Sequence, residues 1–549
     1  MMADFLFMER ELRLRLGLTA LMLVLVIGLA LASPRATRGV LADDGLPPGP
    51  DRFTVLNVEY TSYEWWLVQW TDNRVACQVH IDHEGLPTGN EVYLACGEIL
   101  YDKWVATRPC SQSETASPSC QGYYLHFIHS ATAQRDVGVA LPPPVVWMSL
   151  EGCAWFSFTH RCGASAQVLL VAEEPLAGET ITSLAGRIDG EAFTCAATCR
   201  IELVPTDEDG LELEFWAFSS YGDSSQVFTA QVRVAPADDP GPVSVWYVDV
   251  LSTQWRGAPL ASCAQMWAAL PPVGIPPVWL TTPAGAVELA SNIPYEYLAA
   301  NLIENGIADA SQCQDGGLTP LGMATPCGLA AARPAVDEWQ DRFDAIIYET
   351  SLQTGIPAQL LKNLFSRESQ FWPGVLTDRP EAGLGQLTEN GADTTLLWNP
   401  SFFEQFCPLV LDDRACRQGY PHMPLDEQEL LRHALVRRVD AFCADCPLGL
   451  DLQRADASVQ IFAETLLANC AQTGRIIYNA YGEAPGELST YQDLWRFTLV
   501  NYNAGAGCLT LAVQETESSG EALDWEHLSA NLTPVCQPAI DYVMDISRE

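Results

Sequence analysis

Apolar residues recur along this chain with two different periods, and the change from one to the other divides it. From residue 53 to 234 the apolar runs are short. Residues 54–60, 65–70 and 75–81 read as strands, punctuated by Asp72-Asn73 and His83-Glu84-Gly85. Further on, Leu211, Leu213, Phe215 and Ala217 alternate with acidic and aromatic residues, and Phe228, Ala230, Val232 and Val234 alternate with Thr229, Gln231 and Arg233. That alternation is the mark of strands with one face in a core. From residue 336 the period lengthens. Val336, Trp339, Phe343, Ile346 and Ile347 repeat at helical spacing, as do Leu360, Leu361, Leu364 and Phe365, and residues 459–467 and 494–500 continue the pattern.

The expected architecture is therefore multidomain, with N-terminal all-β domains followed by a mainly α C-terminal domain. Residues 1–32 carry Arg13 and Arg15 ahead of an apolar run over residues 16–32 that ends in Ala30-Leu31-Ala32. This is the form of a signal peptide, and an uncleaved N-terminal anchor in the membrane is the alternative. Residues 33–52 make a linker and 53–140 a small disulfide-containing β domain. Its Trp65, Trp66 and Trp70 either stack on sugar rings or fill a core. Past Pro142-Pro143-Pro144, residues 141–236 resemble the immunoglobulin-like sandwiches that serve as spacers in exported bacterial proteins. Residues 237–335, broken by Pro271-Pro272 and Pro276-Pro277, form a connecting segment, and 336–549 the helical domain.

The 18 cysteines, spread over the whole exported part, read as disulfides made in an oxidising compartment, so the protein is expected outside the cell or in its envelope. Cys77/Cys96, Cys110/Cys120, Cys153/Cys162 and Cys313/Cys327 are candidate pairs. Cys443-Ala-Asp-Cys446 could instead be half a zinc site or a redox pair, although no matching His cluster accompanies it. Nine cysteines lie from Cys77 to Cys263 and seven from Cys407 to Cys536, with Cys313 and Cys327 between. If all are oxidised and the middle two pair locally, one bridge has to join the two odd groups, and Cys263 is the expected upstream partner. A net charge of −40 argues against nucleic acid as a partner and keeps an exported chain soluble.

Candidate chemistry sits after Gly355. Pro357 suits a first helical position, and Glu368 falls four residues after Leu364 and three after Phe365, continuing the apolar stripe. A desolvated carboxyl there keeps its proton near neutral pH, as a general acid must; a glutamate that bends out to solvent is the plainer alternative. Ser369, Phe371 and Pro373 follow, then Gly383-Leu384 and Gln386, and much later Asn501-Tyr502-Asn503-Ala504-Gly505. In order and spacing these three motifs resemble the soluble lytic transglycosylase family, lysozyme-like enzymes that cut the glycan strands of peptidoglycan. The resemblance covers residues 336–549.

The resemblance implies a lysozyme-like fold, no cofactor and no metal, and peptidoglycan glycan strands as the partner. It implies Glu368 as acid and then base, cleaving the MurNAc–GlcNAc β-1,4 bond to leave a 1,6-anhydromuramoyl end, with Ser369, Gln386, Tyr502 and Asn503 holding substrate. Three departures stand out. Gly385 replaces the family's usual Met, Glu381 replaces a small residue, and residues 406–447, with four cysteines, look inserted. Asp378, Glu381, Glu389 and Asp393 are the nearest candidates for a second carboxylate. One of them activating water would make a hydrolysing muramidase. A non-catalytic wall-glycan-binding protein is the remaining alternative.

Overall fold

The computed structural model of the protein describes residues 47–107, 122–156, 159–237, 245–256, 262–274, 276–291, 293–373 and 381–548. The candidate signal segment 1–32, most of the linker, Asp378 and the pair Cys110 and Cys120 lie outside them. Among the described residues no helix is long and apolar enough to cross a membrane. Two compact units divide the chain, one of Pro50–Pro143 with Pro175–Glu179 and one of the remainder.

The smaller unit is built on an antiparallel sheet in the order β2-β1-β3, from β1 (Phe53–Gln69), β2 (Val75–Ile81) and β3 (Tyr123–Ala140). Two short helices, α1 (Gly89–Cys96) and α2 (Glu98–Val105), lie between the second and third strands. The entry to α1 is locked by a reciprocal cap: Thr88 Oγ1 accepts from the Glu91 amide at 3.3 Å, and the Thr88 amide donates to Glu91 Oε2 at 2.7 Å. Leu67, Val68, Val79, Ile81 and Val92 are its buried apolar residues, and Cys77–Cys96 ties β2 to α1. The tryptophans expected either to fill that core or to stack on sugar remain half-buried.

The larger unit opens with an eight-stranded antiparallel sheet: β4 (Val145–Phe156), β5 (Thr159–Glu173), β6 (Ile181–Ile188), β7 (Glu191–Cys195), β8 (Thr198–Glu202), β9 (Leu211–Ser219), β10 (Phe228–Pro236) and β11 (Val245–Leu251). Its order is β4-β5-β11-β10-β9-β6-β7, with β8 paired to β5. The alternation read from the sequence is the one observed: Leu213, Phe215, Ala217, Phe228, Ala230, Val232 and Val234 all enter one core. The boundary at residue 236 is corrected. β11, expected in the connecting segment, is an inner strand between β5 and β10, because Val248, Val250 and Leu251 are apolar enough to be buried there. Arg233 on β10 sits opposite Asp249 on β11, and both are buried. The Arg233 Nη2 donates to Asp249 Oδ2 at 2.6 Å and also to the carbonyl of Pro271. This pair thus fixes the sheet to the chain that leads into the helices.

The helical region begins earlier than residue 336. A single core runs from Leu251, through Cys263, Trp267, Trp279 and Leu298 of the connecting segment, to Ile546. The helices that build it are α3 (Ser262–Trp267), α4 (Glu296–Glu304), α5 (Pro326–Asp341), α6 (Asp344–Thr354), α7 (Ala358–Ser369), α8 (Glu389–Trp398), α9 (Pro400–Phe406), α10 (Asp413–Cys416) and α11 (Leu425–Val439). They are followed by α12 (Leu452–Tyr481), α13 (Pro485–Leu488), α14 (Tyr491–Ala504), α15 (Ala506–Ser519), α16 (Trp525–Ala530) and α17 (Pro538–Ile546). The helical stripe from Val336 to Ile347 is two helices, broken after Asp341. At 30 residues α12 is the axis of the bundle, with Val459, Phe462, Leu466, Cys470 and Ile477 buried along it. Cys263–Cys470 joins α3 to this axis, the link that the cysteine count called for, and Trp267 Nε1 donates to the carbonyl of Cys470 at 3.0 Å.

Eight disulfides are present among the described residues, which suits an oxidising compartment. Cys407–Cys416 and Cys443–Cys446 close locally within the insertion, so the latter pair is a disulfide. Removing one member of a buried ion pair strands the other charge. Arg233→Ala should therefore lower unfolding free energy by about 3–5 kcal/mol, whereas the double replacement Arg233→Met with Asp249→Leu should stay much closer to the parent. Denaturant titration of the three proteins checks both expectations.

Candidate active site

Helix α7 is fixed at both ends before any chemistry enters. Gly355 takes a left-handed conformation (φ 69°) to end α6. Pro357 then precedes the helix, in extended conformation, as its N-cap; the expected first position falls at Ala358. The first free amides of α7 are met by the connecting segment: Ala358 N–H donates to Thr282 Oγ1 at 3.1 Å and Gln359 N–H to the carbonyl of Thr281 at 3.0 Å. Leu360, Leu361, Leu364 and Phe365 are buried as the stripe requires. Lys362 is buried among them and is held by Asp344, on α6, in a close ion pair.

At its C-terminus α7 ends in two successive residues with positive φ, Gln370 (48°) and Phe371 (62°). An aromatic residue in that region is strained, so surrounding contacts must hold it. They do so on three sides. Gln370 Oε1 accepts from the amides of Tyr297 and Leu298 at 2.9 and 3.1 Å. Trp339 Nε1 donates to the carbonyl of Phe371 at 2.9 Å, and the Trp339 and Trp372 rings stack 5.1 Å apart. The carboxylate of Glu368 is thus presented from a helix end whose exit is clamped.

The turn after it is a small closed loop. Ala382 and Leu387 exchange backbone hydrogen bonds at 3.1 and 2.8 Å, with Gly383 (φ 77°) and Gln386 (φ 50°) in left-handed conformation between them. Gly385 is explained by its neighbour: a Cβ there would lie 2.4 Å from the ring of Phe462, so a larger residue has no room. The buried Phe462 ring occupies the space beside Gly385. Tyr502, near the end of α14, donates its hydroxyl to the carbonyl of Gly385 at 2.8 Å and so pins the loop from the far side.

These pieces enclose a cleft of about 380 Å³ lined by Glu368, Glu381, Gln386, Leu387, Thr388, Asn390, Gly391, Thr394, Thr465, Asn469, Asn501, Tyr502, Asn503, Ala504 and Gly505. Amide and hydroxyl side chains predominate, the lining that a polyhydroxylated substrate needs. Burial pushes the carboxyl of Glu368 up from 4.5 to about 7, and the nearby charge of Glu381 pushes the same way; the hydrogen bond from Tyr542 and the charge of Arg367 pull against it. Burial, together with the charge of Glu368, also holds the phenols of Tyr502 and Tyr542 well above their ordinary range, so both remain neutral donors.

Of the residues expected from sequence, Glu368, Gln386, Tyr502 and Asn503 are brought together at the cleft. Ser369 is not: it is buried and its hydroxyl donates back to the carbonyl of Phe365 at 3.2 Å, away from the cleft lining. Among the candidate second carboxylates, Glu381 lines the cleft. Glu389 is 2.9 Å from His433 Nε2, and Asp393 accepts from Tyr420 and Arg432 at 2.6 and 3.1 Å, so both face the insertion; Asp378 lies outside the described residues. The sequence reading missed Tyr542 on α17, whose hydroxyl donates to Glu368 Oε1 in a short hydrogen bond. It also missed the polar floor of Thr465 and Asn469. Both had a signal: Tyr542 stands in the buried stripe Ala539, Tyr542, Val543 and Ile546, and Thr465 and Asn469 are polar residues on the buried side of α12.

The last helix clamps α7 at three further points. Arg367 Nε lies 3.0 Å from Asp545, the Arg367 guanidinium sits over the Tyr542 ring at 5.5 Å, and Asn363 Nδ2 donates to the carbonyl of Ile546 at 2.9 Å. The chain matches no family model, no curated protein and no solved structure. Its site is therefore read from geometry and chemistry.

Tyr542→Phe removes the donor that favours the ionised carboxyl. The Glu368 pKa should rise above about 7, moving the alkaline limb of any pH–rate profile upward, and the loosened carboxyl should cost about 10- to 100-fold in rate. A pH series on parent and variant measures both. Stability carries a second signature. In the fold Glu368 binds its proton more tightly than in the unfolded chain, so its contribution is complete below the ordinary 4.5 and is lost as pH rises through about 7. Glu368→Gln should accordingly melt above the parent in alkaline buffer, with the gap closing towards acid pH in a thermal-melt series.

Proposed function

We propose that this protein is an exported peptidoglycan lytic transglycosylase, with a lysozyme-like helical domain carried behind a β-sheet spacer of immunoglobulin type. The observation that carries the reading is the half-buried Glu368 carboxyl, poised at about 7, in a cleft of neutral polar side chains. At neutral pH a sizeable fraction is protonated and can donate to the glycosidic oxygen, and the carboxylate left behind is a base matched to taking a proton back. In the transglycosylase route the N-acetyl group of the substrate supports the cationic centre. The regenerated base then removes the proton of the muramoyl C6 hydroxyl, which closes on C1. The glycosidic oxygen leaves with the proton that Glu368 gave it, and no water is consumed. Tyr542 holds the carboxyl in place, while Gln386 in the turn and Tyr502 near the end of α14 frame the sugar. An uncleaved N-terminal segment would tether the protein to the membrane at the same outer face.

Hydrolysis is the second reading, favoured by the position of Glu381 in the cleft. There it would act as base toward a water on the far side of the anomeric carbon. The two readings predict different products and different damage. Glu368→Gln should lower turnover on purified sacculi by about 10²–10⁴-fold with glycan binding kept. Glu381→Gln should cost far less, and mass spectrometry should show 1,6-anhydromuramoyl ends. Reducing ends with a large loss in Glu381→Gln would make the enzyme a hydrolase. Full activity in Glu368→Gln would end the assignment of this cleft as the catalytic site, and a parent protein without activity on sacculi would be a glycan-binding protein.

A further inference from the structure

The three-stranded sheet of the smaller unit has two unlike faces. Strand alternation and register put Trp65, Leu67 and Val79 on one side, with the buried Val92 of α1 and the Cys77–Cys96 bridge. On the other side lie Trp66, paired to both Gln78 and His126, then Val68, paired to Tyr124, and Trp70 just beyond the end of β1. The Trp70 and Tyr124 rings are 4.2 Å apart and tilted by 38°, with His126 next in the row at 6.3 Å from Tyr124. Trp66 is oriented by an indole hydrogen bond to Glu64 at 2.6 Å, and Tyr124 by a hydroxyl bond to Asn73 at 3.3 Å. Trp66, Trp70 and Tyr124 remain half-buried while Gln78, His80 and His126 are exposed.

Rings braced against one another, held by their polar edges and left partly open to water, suit a ligand that is itself amphipathic. A pyranose ring offers axial C–H bonds to an aromatic face and equatorial hydroxyls to the polar groups around it. An anionic polymer would need cationic side chains. Around the rings this face offers Gln78, His80 and His126 and no Lys or Arg; Arg135 lies further along it, opposite Val58, and is already paired with Asp82 at 2.8 Å, and the chain carries a net charge of −40, which repels polyanions. We propose that this aromatic row binds the chain of an uncharged pyranose polysaccharide. The proposal does not rest on the cleavage reading, because it would hold equally for a chain without activity.

Co-sedimentation of the full chain, in the Glu368→Gln background so that glycan is not degraded, with insoluble chitin, cellulose and purified sacculi is the test. Binding to chitin or cellulose, both uncharged, is expected, and Trp70→Ala and Tyr124→Ala should weaken it at least tenfold. Gln78→Ala and His126→Ala change exposed positions only; they should weaken the same binding without altering the melting temperature, which keeps the test decisive if the ring variants misfold. Failure of the parent to sediment with any of the three, sedimentation of all four variants like the parent, or binding confined to anionic polymers would overturn the proposal.

Discussion

A carboxyl group placed at the end of an apolar helical stripe has to be kept from turning out to water, and much of the helical region serves that constraint. Glu368 lies at the C-terminus of α7, where the helix carbonyls also disfavour negative charge. Burial raises its pKa, and the charge of Glu381 pushes the same way. The entry of α7 is capped by Thr281 and Thr282, its exit is locked by Gln370 and Phe371, and its flank is gripped by α17 through Arg367, Asn363 and Tyr542. Without these, the side chain would gain hydration by a small rotation, and the pKa would relax towards that of an ordinary glutamate.

The buried Lys362 belongs to the same arrangement. A buried lysine in the middle of a helix is admitted because partners meet it: Asp344 on the preceding helix in a close ion pair, the carbonyl of Gln340 at 3.4 Å and Asp341 at 3.9 Å. Burial raises the carboxyl of Asp344 to about 6, against the pull of the lysine. A pair of this kind adds little net stability, since both ions lose water. Its directional demand does fix the rotation of α7 about its own axis relative to α6, and that rotation decides which way Glu368 points.

Periodicity made the helical stripe, the strand cores and Glu368 legible, because each depends on the spacing of neighbours in sequence. Gln386 and Tyr502 were found through motif resemblance, and the structure brings them to one cleft. Ser369 was misplaced because its hydroxyl found a carbonyl one turn back, an option that spacing alone does not weigh against substrate contact. Tyr542 is 174 residues from the carboxyl it holds, and nothing local announces so distant a partner. The α3–α4 region was assigned to a connector because prolines break the chain between the two helices, and the strand-like run of β11 was grouped with it. Apolar content nevertheless placed both: Trp267, Trp279 and Leu298 enter the helical core, and Val248 and Val250 of β11 the core of the sheet. Parity of the cysteines, by contrast, identified a contact that no periodicity could.

That contact, Cys263–Cys470, spans 207 residues and skips over six cysteines that pair among themselves. In the chain-entropy picture closing so long a loop is worth about 5 kcal/mol. It also sets a problem of timing. A polypeptide delivered into an oxidising space from its N-terminus exposes the Cys263 thiol long before Cys470 arrives, and the next thiol to appear is Cys313. Oxidation in order of arrival would join those two and leave Cys327 to an equally wrong partner. Maturation of this protein therefore calls for a thiol–disulfide isomerase, or for a local fold around Cys313 and Cys327 that closes faster than Cys263 can be captured.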